Sequence, residues 1–301
     1  AGFDGAIAQL QVFFGARDNT TTLDIWTSTG FPAETYIGAS LAAASKSLYA
    51  IKSPLPVISG AAIFPLTGEN RDDDLWRTDG TLPGTFKLKE ISSGDAASPI
   101  RELTRVGNAA YFTAQPGPTS QPSHDALWRS VGTELGTDVL ADIWPNPDHR
   151  PTSLLNVDNQ LFFIAGSELA GLELWKSDGT PEGTLLVKDI RPGPDGSDID
   201  WPTAVNGKLY FTANAGDGSG VELWWSDGTD VGTRRVKDIR PGSVGSHPKS
   251  LTAVGNLLFF TANDGVHGDE PWRSDGTIPG TFMIKDVRQG PNTSSLPNSL
   301  L

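Results

Sequence analysis

The residues able to do chemistry in this chain are four histidines, no cysteines, a set of acidic loops and nine tryptophans. Without cysteine there is neither a disulfide framework nor a thiolate metal site. The histidines, His124, His149, His247 and His267, sit at unrelated loop positions. His149 and His247 lie in the loops after the KDI strand, as do Arg191, Arg240 and Arg288, so a general acid or base in a site assembled from several repeats is one reading of them. No HExxH, GxSxG or Walker sequence is present, so the usual hydrolase and nucleotide signatures are missing. Asn263, Asp264, Asp269 and Glu270 offer four oxygen ligands on one loop, the donor type that Ca2+ takes, although not in the twelve-residue EF-hand spacing. Three tryptophans, Trp144, Trp201 and Trp225, are aromatic faces of the kind on which a sugar stacks. The candidate ligand-binding set is therefore Trp144, His149, Arg191, Trp201, Trp225, Arg240 and His247.

What must position these residues is a repeat. The stretch 221–242, VELWWSDGTDVGTRRVKDIRPG, recurs from Leu75, Leu127, Leu174 and Pro271, with a worn copy from Ile25. Its marker tryptophans are Trp26, Trp76, Trp128, Trp175, Trp224 and Trp272, spaced 50, 52, 47, 49 and 48 residues apart by subtraction. A fixed period of this length marks a solenoid or a propeller. Each copy reads as four short strands. Gly255-Asn256, Gly107-Asn108, Asp158-Asn159 and Asn206-Gly207 are two-residue hairpin signals between the first two. SDGTxxGT is turn chemistry, with an Asx-turn aspartate and glycines suited to positive φ. The unbroken apolar strands Leu161–Phe163, Leu209–Phe211 and Leu258–Phe260 demand burial on both faces, as where sheet stacks on sheet. One large aromatic per repeat then fills the gap between sheets, so the six marker tryptophans read as packing. The recurrent Asp142, Asp189, Asp238 and Asp286 of the KDI strand read as structural hydrogen-bonding groups for the next turn.

Four-stranded units needing neighbours on both sides predict an all-β, six-bladed β-propeller occupying residues 1–301 as one domain. The tail Pro297–Leu301 matches the start of an innermost strand, Pro248–Thr252, and the head Gln11–Ala16 matches the strand that follows it. Closure by pairing of the N- and C-terminal strands follows, with Ala6–Leu10 competing for the same slot. The first repeat is degenerate, with Thr29-Gly30 in the turn, and the third has Val131 in place of the turn aspartate.

ELWKSDGT (Glu173–Thr180), ELWWSDGT (Glu222–Thr229) and DLWRTDGT from Asp74 carry a resemblance. The chain resembles the ELWxxDGT-repeat proteins of bacteria over nearly its whole length, most weakly in residues 1–68. The resemblance implies a secreted or surface-exposed, propeller-like protein and supplies no catalytic residues.

A formal charge of −13 opposes binding to nucleic-acid phosphates, and no apolar run of 18 residues offers a membrane span. The chain begins at Ala1, consistent with a removed leader or an excised domain. The leading expectation is a non-enzymatic recognition module, extracellular or at the cell surface, binding a glycan or protein through rim loops. A structural subunit of a surface apparatus, including an oligomer, and a hydrolase or lyase at the central opening are the alternatives.

Overall fold

The computed structural model describes residues 12–16, 22–28, 35–42, 55–67, 73–91, 99–116, 124–143, 147–289 and 294–295. Within these the chain is all-β apart from one 3-10 turn, Pro147–His149. It divides into two compact units, Ala1–Val139 and Leu140–Leu301.

In the N-terminal unit the first sheet has three strands, β1 (Val12–Ala16), β2 (Thr22–Ser28) and β3 (Thr35–Ala42), in that order. The second sheet has four, β4 (Val57–Ile58), β5 (Ala61–Thr67), β6 (Asp73–Thr78) and β7 (Phe86–Glu90). The third comprises β8 (Arg101–Val106), β9 (Ala109–Ala114), β10 (Ala126–Ser130) and β11 (Thr137–Ala141), whose last residues reach the unit boundary. The C-terminal unit continues with β12 (Thr152–Val157), β13 (Gln160–Ser167), β14 (Gly171–Ser177) and β15 (Leu185–Lys188). A fifth sheet holds β16 (Asp200–Val205), β17 (Lys208–Asn214), β18 (Val221–Ser226) and β19 (Arg234–Lys237). The sixth holds β20 (Lys249–Val254), β21 (Leu257–Asn263), β22 (Asp269–Ser274) and β23 (Phe282–Met283). Every pairing described is antiparallel between strands consecutive in the chain. By sequence β1 corresponds to β13, β17 and β21, so the first sheet shows no counterpart of β12, β16 and β20 among the described residues. The two segments expected to supply it, Ala6–Leu10 and Pro297–Leu301, lie outside those residues.

The repeat can be read residue by residue. In the turn of the fourth sheet the Asp178 carboxylate accepts from Thr180 N (2.9 Å) and Oγ1 (2.7 Å), and Thr180 Oγ1 accepts from Gly183 N (2.9 Å). Thr184 Oγ1 donates to Thr180 O (2.8 Å), so the Ser177 hydroxyl donates to Thr184 (2.9 Å) while accepting from Gly179 N (3.0 Å). The same hydroxyl pair closes four other turns: Thr78–Thr85, Ser130–Thr137, Ser226–Thr233 and Ser274–Thr281, at 2.6–2.7 Å. A carboxylate that accepts two hydrogen bonds favours its charged form, and the pKa values of Asp79, Asp178, Asp227 and Asp275 are all lowered, first by the side-chain hydrogen bond of the threonine two residues on.

The lysine of VKDI ties the fourth sheet to the turn of the fifth and the fifth to that of the sixth, as Lys188 Nζ to Asp230 (2.9 Å) and Lys237 Nζ to Thr281 O (2.8 Å) show. The residue after the marker tryptophan does likewise: Arg77 Nη1 donates to Gly132 O (3.1 Å) and Lys176 Nζ to Gly228 O (2.8 Å). Three marker tryptophans, Trp128, Trp224 and Trp272, each pack against the sheet before their own. Trp128 joins Ile58, Ile63 and Leu75, Trp224 joins Phe162 and Leu174, and Trp272 joins Tyr210 and Leu223. A cross-strand phenylalanine lies beside two of them, with Phe112–Trp128 centroids at 5.8 Å and Phe260–Trp272 at 6.4 Å. The packing expectation for the repeat tryptophans holds at these positions, and the apolar strand β13 is buried from Leu161 to Gly166.

The glutamate of ELW is the residue that the sequence left unexplained. Glu173, Glu222 and Glu270 are wholly buried. Glu222 accepts from Ile239 N (3.1 Å), Arg240 N (3.2 Å), Ser246 N (2.9 Å) and Ser246 Oγ (2.6 Å), clasping the whole connection from β19 to β20. Glu173 and Glu270 hold the corresponding connections. Of the KDI aspartates expected to bond to the next turn, two leave an oxygen unmatched. Asp189 Oδ1 and Asp286 Oδ1 are buried without a hydrogen-bond partner.

Candidate functional site

Register separates the predicted ligand set into two groups. Asn214 pairs with Val221 at one end of the β17–β18 ladder and Leu209 pairs with Ser226 at the other. Trp225 precedes Ser226 and so belongs to the end carrying the SDGT turn. Trp201 is the second residue of β16, at the opposite end, with the connections that carry Arg191, Arg240 and His247. Trp144 lies outside the described residues.

At the Trp201 end, the loops explain most of the candidates. Trp201 is 43% exposed and has φ 55°, a position held by Ser153 (φ 56°) and Ser250 (φ 56°) in the neighbouring sheets. The register slips there, between Asp200 and Thr203, so the left-handed bulge belongs to the scaffold and only the indole is peculiar to this repeat. Arg191 pairs with Asp195 (2.9 Å) and lies along Gly216, where an added Cβ would come within 3.1 Å of its Cγ. Arg240 lies against Gly265 in the same way, its Nε 3.1 Å from the position of such a Cβ. His247 is exposed at φ 45°, and its amide donates to Val221 O (3.1 Å). His149 closes the 3-10 turn and packs on Gly166, where a Cβ would stand 2.4 Å from the histidine Cβ.

The four oxygen ligands proposed for Ca2+ have other partners. Asn263 Oδ1 accepts from Gly265 N (2.7 Å). Asp264 accepts from Val266 N and His267 N (both 2.9 Å) and pairs with His267 Nδ1 (2.7 Å), a bond that raises the histidine's pKa above its ordinary value. Asp269 pairs with Lys249 (2.8 Å), and Glu270 accepts from Val287 N (3.0 Å) and Ser295 N (3.1 Å). Among the described residues no group of three or more acidic or histidine side chains converges as a metal site.

At the other end a cleft of about 370 Å³ opens between Trp225, Arg234, Arg235 and Val236 on one sheet and the Gly276–Pro279 turn of the next. Its volume is at the lower end of the roughly 300–1,000 Å³ usual for small-molecule pockets. Two other repeats show what is different here. Arg77 Cζ lies 5.3 Å from the Phe86 ring and Arg273 Cζ lies 4.9 Å from the Phe282 ring. In the fifth sheet the partners are exchanged, with Arg234 Cζ 4.9 Å from the Trp225 ring. Lys208 Nζ stands 4.0 Å from the same ring, so this indole meets two cations. Trp225 is 7% exposed, and its Nε1 is buried without a hydrogen-bond partner. Arg235 Nη1 is within 3.4 Å of Asp217 Oδ2 but likewise lacks hydrogen-bond geometry to any acceptor. Tyr210 walls the turn, its hydroxyl 2.4 Å from the position a Cβ on Gly276 would take, and burial followed by the Asp275 charge raises its pKa. Lys208, Arg234 and Arg235 were not singled out from the sequence. The exchange of Arg–Phe for Trp–Arg across a fixed spacing was the available signal.

No protein-family model and no curated protein matches the chain. Among solved structures it is similar to a prolyl endopeptidase studied for inter-domain dynamics, with TM-score 0.54 and 14% identity over 92% of this chain and 41% of that one. It is also similar to oligopeptidase B from Leishmania major, with TM-score 0.55 and 13% identity over 93% of this chain and 40% of that one. The likeness shows a β-propeller-like fold. The chain spans about two fifths of the length of these peptidases.

Proposed function

We propose that this chain is a six-bladed propeller, closed by pairing of its terminal strands, that serves as a non-enzymatic recognition module outside the cell or at its surface. The three-stranded first sheet supports closure, because among the described residues it shows every strand of the repeat but the inner one, which a tail segment would supply. The ELWxxDGT resemblance supports the location. The recognition reading rests on one observation: the cleft opens where the repeat's cation–aromatic pair is inverted at Trp225 and Arg234. Residues that serve the scaffold repeat from sheet to sheet, whereas this pair departs from the repeat and leaves a cavity. A glycan array probed with the wild type and with the Trp225→Arg/Arg234→Phe double variant tests the reading. Binding by the wild type alone supports it, and equal signals from both proteins would refute it.

An assembly role is the second reading, favoured by apolar side chains at the turn tips. Leu82 (62%), Leu135 (101%), Val231 (89%) and Ile278 (65%) stand exposed there. Sedimentation equilibrium checks it, since a monomer at high concentration removes self-assembly.

A further inference from the structure

We infer that the Trp225 cleft binds an acidic glycan, through a carboxylate or sulfate on a sugar ring. The inference rests on the recognition reading above and names the ligand chemistry for that same site. The charge around the cleft is the first argument. The protein is formally −13, yet the charged residues lining this cavity are Arg234 and Arg235, and Lys208 lies over the Trp225 ring. The nearby carboxylates are engaged elsewhere. Asp217 accepts from Ser219 (2.5 Å) besides facing Arg235, while Asp227 and Asp275 are held inside their own turns by Thr229 and Thr277 (2.7 Å each). Guanidinium groups recognise a planar or tetrahedral oxyanion with paired N–H donors.

The second argument is a buried donor, Trp225 Nε1, that has no acceptor. Buried polar groups are nearly always paired, and an acceptor-rich ligand in this cavity supplies what the chain does not. The third is shape. Val236, Ile278 and Pro279 give the cleft an apolar wall, and Thr277 adds a hydroxyl. A pyranose ring has carbon–hydrogen faces for such a wall and an acid group for the arginines. An isolated carboxylate has only the second.

Isothermal titration of the intact chain with digalacturonate, a sulfated disaccharide and neutral maltose, with tetraglutamate as an acidic peptide, tests the inference. The expected result is binding of one or both acidic sugars, the stronger arm telling carboxylate from sulfate. That binding should weaken at least about tenfold in high salt and by a similar factor in Arg234→Gln, which keeps a polar side chain but removes the guanidinium charge. The Trp225→Arg/Arg234→Phe variant, which restores the pair of the other repeats and is checked for folding by its melting temperature, should not bind. Maltose bound as tightly as digalacturonate, and lost in the double variant, would overturn the acidic ligand while leaving recognition at this cleft intact. Tetraglutamate bound as tightly as the sugars would overturn the glycan. No binding of any probe, or acidic-sugar binding unchanged in the double variant, would overturn the inference. Only an array that is also negative, or equal for the two proteins, would take the broader recognition reading with it.

Discussion

The Ser246 hydroxyl donates to the buried carboxylate of Glu222 at 2.6 Å, across 24 residues of chain. That bond explains why a glutamate stands before Leu-Trp in the repeat. In the connection from β19 to β20 the amides of Ile239, Arg240 and Ser246 donate to a side chain rather than to a strand. Glu222 takes all three as well as the hydroxyl. Glu222→Ala leaves these donors buried without an acceptor and should cost about 3–5 kcal/mol, the range for stranding partners of a buried charge. Urea unfolding measures the loss. A change below about 1 kcal/mol would mean that the connection is held by something other than this clasp.

The same arrangement gives stability an unusual dependence on pH. Burial pushes the Glu173 carboxyl up to about 7 from an ordinary 4.5, against the pull of Ser197, Ile190 and Arg191, with the Asp189 charge adding to the rise. Glu222 is raised by burial as well. The native form therefore holds its proton more tightly than the unfolded chain does. The resulting stability is fully present below about pH 4.5 and is lost as pH rises through about 7. The turn carboxylates Asp79, Asp178, Asp227 and Asp275 act in the other direction, with stability lost as pH falls through their lowered values. The melting temperature should therefore be highest on the acid side of neutrality and decline toward pH 8. Glu173→Ala, though less stable throughout, should show a flatter decline. An unchanged slope in that variant would assign the decline to general repulsion among the excess negative charges.

Much of this architecture was legible because the repeat states it five times. Strand order, hairpins and the packing role of the marker tryptophans follow from unbroken apolar runs, Asn-Gly and Asp-Gly signals, and spacing. The task of Glu222 was not legible, because nothing local distinguishes a buried acceptor of four bonds from an exposed acid at a strand start. The acidic loop at Asn263–Glu270 is a related case. Asx-turns, a lysine pair and a clasp place four carboxylate or amide groups close in sequence while each faces a different donor. The cleft needed comparison between repeats. Trp225 alone reads as one more aromatic, and only beside Arg77–Phe86 and Arg273–Phe282 does its pairing with Arg234 become an exchange.

Gly245 tests how closely the backbone must approach at the clasped connection. It has φ 72° and forms a parallel bridge with Val221, and a Cβ there would stand 2.4 Å from Val221 N and 2.6 Å from Val221 O. Both atoms are backbone and have nowhere to move without breaking β18. Gly245→Ala should destabilise by about 2–4 kcal/mol, combining positive-φ strain with the clash. Gly242→Ala is the control. Its φ is 104° but nothing lies within 4 Å of the added Cβ, so it should lose only the strain part. Similar unfolding free energies for the two variants would show that conformation alone, and not close approach, requires glycine at 245.

Trp201 separates scaffold from function at the other end of the strands. Its left-handed backbone is imposed by the bulge, since Ser153 and Ser250 adopt it too, and a large side chain is a poor occupant of that conformation. Asparagine tolerates positive φ best among non-glycine residues, so Trp201→Asn should leave stability unchanged or raise it by up to about 1 kcal/mol. Because the indole is 43% exposed, little buried contact offsets that gain. The same variant should leave acidic-sugar binding at Trp225 untouched, because the two tryptophans occupy opposite ends of the fifth sheet. A loss of more than about 1 kcal/mol would show that the indole packs as part of the scaffold. If Trp201→Asn is as stable as the wild type but has lost a ligand that Trp225→Arg/Arg234→Phe retains, the chain carries a second recognition surface at its strained bulge.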